Sequence, residues 1–185
     1  MSESNGEREN SIDLYVIQPN EFKWAEAAEW GNGQRWTPIN SVIDLVHHVK
    51  AQCGDKYYVR LLRIGGHGEY NSFRLGTTRI SRAPITNNGI PVTTVQISNL
   101  RVWLNEILHF FKADKSFIIL DNCLIGNNDL LLRELSEAFG GVPVIAPFDE
   151  QFTNEGGGVP PLIEGNVRVC TPYVCLTKDP KGMMI

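Results

Sequence analysis

The run SFIIL, residues 116–120, constrains the fold more than any other stretch of this chain. It has the length of a strand and is almost continuously apolar, the pattern of a central parallel strand covered on both faces. Parallel neighbours need a crossover of a dozen or more residues, usually a helix. The flanking sequence supplies such crossovers. IDLYVI (12–17) and YYVRLLRI (57–64) read as strands, bounded by Gln18-Pro19-Asn20 and by the pair Gly65-Gly66. Between them Val42, Leu45, Val46, Val49 and Cys53 share one helical face, with a start at Thr37-Pro38 or a cap at Asn40 and a stop at Gly54. A second helix, capped by Ser98, carries Leu100, Leu104, Ile107, Leu108 and Phe111. A third runs from about Asn128 to the stop Gly140-Gly141, with Leu131, Leu132, Leu135, Ala138 and Phe139 inward. VPVIAPF (142–148) is the next strand.

Two stretches are less regular. Residues 71–96 contain short β-prone pieces and the turn pair Asn88-Gly89, which predicts a hairpin or an irregular excursion. VRVCTPYVCLT (167–177) reads as one bent strand or as two. The alternation of strands and helices predicts an α/β fold with a doubly wound, mostly parallel sheet.

A chain of 185 residues fits one domain with one sizeable core. The polar opening MSESNGEREN lacks the apolar segment of a secretory signal, so residues 1–11 are expected to form a disordered lead and 12–185 the domain. A net charge of −4 and the absence of any lysine or arginine run argue against nucleic acid as a partner. The apolar stretches fall far short of the ~20 residues of a membrane-spanning helix. Four cysteines without CxxC spacing suggest neither a disulfide scaffold nor a zinc site. Reduced thiols and a cytoplasmic location are therefore expected, with export lacking a cleaved signal as the alternative.

The chemistry concentrates at two strand ends. In open α/β sheets, ligands bind beyond the carboxyl ends of the strands. LLRIGGHGEY places His67 just past one predicted strand, and FIILDNCLIG places Cys123 just past another, 56 residues later. That separation leaves room for a helix and a crossover. If the two strands are neighbours, the two side chains meet at one edge of the sheet.

These two segments resemble the caspase-like cysteine peptidases, in which a strand ending in His-Gly is followed about fifty residues later by a strand ending at the nucleophile. They are most similar to the metacaspases, with motifs such as SGHGGQ and DSCHSG, and to the bacterial caspase-like domains of the CHAT type. The resemblance spans residues 57–148 and implies a three-layer sandwich, a mostly parallel central sheet flanked by helices. Leu124 departs from it, because metacaspases carry histidine after the nucleophile.

What the resemblance implies is a cysteine endopeptidase acting on a protein or peptide, with no cofactor and no metal. Cys123 is the expected nucleophile and His67 its general acid and base. An imidazole favours the attacking thiolate and then protonates the leaving amine. The amides of Gly68 and Cys123 are the implied oxyanion donors. Asp121, on the same side of an extended chain as Cys123, is the implied substrate-binding residue, selecting a basic side chain before the cut. The alternative is an inactive caspase-like module that binds a protein partner or activator.

Each residue also has a plainer reading. A lone histidine after a strand is commonly structural, and a lone cysteine commonly fills a core. Their joint occurrence, each with its glycine-rich or acidic neighbour, favours the dyad. His47 and His48 read as solvent-facing, His109 as a packing or surface residue, and Cys53, Cys170 and Cys175 as small apolar fillers. Trp24, Trp30 and Trp36 read as anchors of a long loop, or as an aromatic binding surface. GGHG lacks the lysine and Ser/Thr of a phosphate-binding loop. Glu155 to Gly158 form a surface loop or a flap over substrate.

Overall fold

The computed structural model describes residues 10–19, 36–122, 124–148 and 165–179. Along the chain come β1 (Asn10–Ile17), β2 (Trp36–Pro38), helix α1 (Val42–Cys53) and β3 (Tyr57–Gly65). Short strands follow: β4 (Gly68–Glu69), β5 (Ser72–Leu75), β6 (Thr78–Ser81), β7 (Ile85–Asn87), β8 (Ile90–Val92) and β9 (Val95–Gln96). Helix α2 (Ile97–Leu104), β10 (Phe117–Asp121), helix α3 (Asp129–Ala138), β11 (Val144–Pro147), β12 (Val167–Cys170) and β13 (Cys175–Lys178) come last.

Seven strands form the main sheet in the order β13-β12-β11-β10-β3-β1-β2. The α/β class is as expected, but the sheet is mixed rather than mostly parallel. β2, β1, β3, β10 and β11 pair in parallel, whereas β11–β12 and β12–β13 are antiparallel. For β12–β13 the cause is local: only four residues join them, a connection that permits a hairpin and forbids a crossover. A smaller sheet, β4-β5-β6-β9, and the separate hairpin β7-β8 fill the excursion between β3 and α2. Asn88 and Gly89 both have positive φ, the conformation a two-residue hairpin turn needs.

The three helices of the described residues pack on one face of the main sheet, in a core shared with Leu14, Val16, Leu62, Ile64, Ile118 and Leu120. The opposite face is also buried, through Leu61, Ile119, Ile145 and Val167. SFIIL is thus covered on both sides, which is why it alternates so little. Among the described residues no helix is long and apolar enough to cross a membrane.

Helix ends follow local chemistry more closely than periodicity. Ser41, not Thr37 or Asn40, caps α1 by accepting from the Asp44 N–H at 3.2 Å, while the Asn40 N–H donates to the Asp44 carboxylate at 2.9 Å. α3 begins where expected, and Asn128 caps it by accepting from the Leu131 N–H at 3.1 Å. Ser98 does not cap α2. The chain turns directly from β9 into the helix at Ile97, so Ser98 lies inside it and Gln96 holds the capping position without a side-chain bond. His48 is half-buried rather than solvent-facing, and burial lowers the pKa of its imidazole.

The expectation of reduced thiols is corrected at one pair. Cys170 and Cys175 stand directly opposite each other across the β12–β13 hairpin and form a disulfide, with Cα atoms 4.1 Å apart. Cys53 is buried and takes part in no disulfide. Closing so short a loop removes unfolded-state entropy worth about 2 kcal/mol. Thermal melting of the wild type should therefore fall by roughly 4–8 °C under excess dithiol, and Cys175→Ala should melt at one temperature with or without it. Equal wild-type melts in both conditions would contradict this assignment.

Candidate active site

The strands that carry the two motifs are neighbours. β3 and β10 pair in parallel, with Leu62 opposite Ile118 and Gly65 opposite Asp121. His67 follows Gly65 by two residues, and Cys123 follows Asp121 by two. Cys123 lies outside the described residues; Asn122 and Leu124, on either side of it, lie within them.

The glycines ahead of His67 answer a packing requirement. Gly66 has φ +152°, and a Cβ there would lie 3.3 Å from the Gln18 side chain and 3.4 Å from the Arg74 carbonyl. At Gly65 a Cβ would press on the Trp36 ring at 3.1 Å. Without these side chains the chain leaves β3 tight against the end of β1. Gln18, itself buried, donates its N–H to the Gly65 carbonyl at 3.1 Å, and its Oε1 accepts from the His67 N–H at 3.5 Å. The Arg74 N–H donates to the His67 carbonyl at 2.9 Å. The main chain of His67 is held while the residue itself is exposed.

Asn122 fastens the two motifs together. Fully buried, it donates from Nδ2 to the His67 carbonyl at 3.1 Å and to the Arg74 carbonyl at 3.5 Å. Its Oδ1 has no hydrogen-bond partner among the described residues. Leu124, on the far side of Cys123, has φ +59°, a left-handed conformation that costs a non-glycine residue on the order of 1 kcal/mol. Asn127 secures that turn by donating from Nδ2 to the carbonyls of Leu124 and Phe148, and Asn128 reaches back to the Tyr70 carbonyl at 3.0 Å.

Behind this turn Gly126 lies against β11. A Cβ on Gly126 would sit 2.4 Å from the Pro147 carbonyl oxygen, backbone that has no room to yield. Gly126→Ala should therefore destabilise the protein by about 2–3 kcal/mol, read as a shifted urea midpoint; a change below about 0.5 kcal/mol, typical of an open surface site, would contradict the packing.

Gly68 opens β4, the edge strand of the smaller sheet, opposite Phe73 of β5. Because the Arg74 N–H bonds the His67 carbonyl, His67 and Arg74 form a hydrogen-bonded pair, and alternation makes Gly68 and Phe73 the next, non-bonded pair. The Gly68 N–H consequently points away from β5, toward the outer edge. A backbone donor so placed suits an oxyanion.

Asp121 ends β10 beside an arginine. Arg63 grips its carboxylate side-on: Nε binds Oδ2 and Nη2 binds Oδ1 at 3.2 Å. Their side chains are only 5% and 10% exposed. Burial alone would lower the Arg63 pKa, but the Asp121 charge and hydrogen bond outweigh it and hold the guanidinium above its ordinary value. Trp36 lies 5.6 Å from the same guanidinium, and Tyr15, in register with Arg63, meets Trp36 edge-on.

The site thus brings together His67, Gly68 and Asp121, with Cys123 next in the chain to Asn122. Arg63, Asn122 and Gln18 were not foreseen as parts of it. The signal for Arg63 was available, as one of two arginines, with Arg60, in a largely apolar central strand. Trp36 packs into the core, whereas Trp24, Trp30 and the Glu155–Gly158 loop lie outside the described residues. Asp129, Cys170 and Cys175 bring potential metal-ligand atoms within 4.8 Å of one another, although the two sulfurs are bonded together. No family model, curated protein or solved structure matches this chain.

Proposed function

We propose that this protein is a cysteine endopeptidase of caspase-like architecture with a His67–Cys123 dyad. The observation that supports it is the pairing of β3 with β10, in which Gly65 stands opposite Asp121 and each motif residue follows two positions later. His67 takes the thiol proton, and the Cys123 sulfur attacks the scissile carbonyl carbon. The oxyanion that forms is met by the amides of Gly68 and Cys123. Collapse of this intermediate breaks the C–N bond, the amine leaves with the proton from His67, and a thioester remains. Water, deprotonated by His67, then attacks the thioester and releases the acid, and the thiol regains its proton. The chemistry draws on no cofactor. A protein or peptide is the substrate, and an activating partner belongs to the same reading.

The test is a search for new peptide termini in a mixture of unfolded proteins, comparing wild type with Cys123→Ala by mass spectrometry. Termini that appear only with the wild type are the expected result. Identical termini in both samples would overturn the reading and favour the alternative, a non-catalytic caspase-like module that binds a protein partner.

A further inference from the structure

Resting on that peptidase reading, we propose that Arg63 is a specificity-determining residue: it occupies Asp121, the acid that this reading assigns to selecting a basic side chain, so the site takes substrates with an uncharged residue before the cut. Arg63 and Gly65 on β3 and Asp121 on β10 lie on the same face of the sheet, at the end from which the chain continues to His67 and Cys123. Opposite Asp121 stands Gly65, and the Trp36 ring and the Ile17 side chain fill the space that a Cβ there would take. The pair is therefore enclosed, and its two charges balance each other.

Asp121 uses both carboxylate oxygens on Arg63. A substrate guanidinium or ammonium would have to displace a partner already fixed on the neighbouring strand, which binds without losing translational freedom. A substrate carboxylate meets the same obstacle from the other side, since the Arg63 charge is held by Asp121. Either charged side chain would enter a desolvated site without a counter-ion of its own, an arrangement that costs several kcal/mol. An uncharged side chain meets no such penalty.

Acyloxymethyl-ketone peptide probes that differ only in the residue before the reactive group (Leu, Phe, Arg, Lys or Asp) test this by their rates of labelling Cys123. In the wild type, Leu or Phe probes should react at least about tenfold faster than Arg, Lys or Asp probes, a difference of about 1.4 kcal/mol. Arg63→Gln should shift the preference toward Arg and Lys, Asp121→Asn toward Asp, and the double variant back to Leu or Phe. A wild type that prefers Arg or Lys overturns the proposal, whether or not the single variants fold. Singles that fold and keep the wild-type order overturn it as well. If no probe labels Cys123 selectively and iodoacetamide also fails to do so, the dyad reading itself has failed, and this inference falls with it.

Discussion

His67→Ala is expected to slow peptide hydrolysis by about 10²–10⁴-fold, the usual contribution of a positioned acid-base group. On the proposed mechanism the loss should appear in kcat with little change in KM, because that mechanism has the imidazole move protons in the transition state and not bind substrate. The fold should survive. Main-chain bonds to Gln18, Arg74 and Asn122 hold this residue in place, and alanine retains these bonds. The residue is also exposed, so truncation leaves no cavity. Unchanged thermal melting alongside the lost rate would assign the effect to chemistry; undiminished hydrolysis would remove His67 from the mechanism.

The second large effect is on stability. Arg63→Met should destabilise the protein by about 3–5 kcal/mol, because it strands the Asp121 carboxylate in a site from which water is nearly excluded. That is a large part of the 5–15 kcal/mol by which a domain typically holds together. Removing both charges is a different matter. Arg63→Met with Asp121→Leu should recover most of the loss, since apolar replacements of a buried pair are often neutral or better. Urea denaturation of the two single variants and the double variant gives the coupling directly. A loss under about 1 kcal/mol in Arg63→Met, the range of an exposed pair, would contradict the burial of this ion pair.

What the sequence made legible was local. SFIIL, the Gly65-Gly66 break and the helix start near Asn128 each declare their role within a few residues, and each holds in the structure. Ser98 misled because the approach from β9 fixes where α2 begins, and tertiary context overrides a good capping residue. The Cys170–Cys175 bridge escaped notice because its spacing matches no metal or scaffold pattern; it follows from the hairpin register, which the bent-strand alternative left open.

At the site, His67 and Asp121 were readable from their neighbours, but the Arg63–Asp121 pair was not. Its members lie 58 residues apart, and only the pairing of β3 with β10 brings them together. Asn122 escaped for a related reason. Its partners are the carbonyls of His67 and Arg74, and backbone acceptors leave no trace in a sequence.

The most direct test of the central claim is the rate at which an iodoacetamide-type probe labels each cysteine, mapped by peptide mass spectrometry in the wild type and in His67→Ala. An activated dyad predicts fast, selective labelling of Cys123 that drops in the variant. Slow labelling of Cys123 that is the same in both proteins would mean that His67 does not activate the thiol, and would contradict the account.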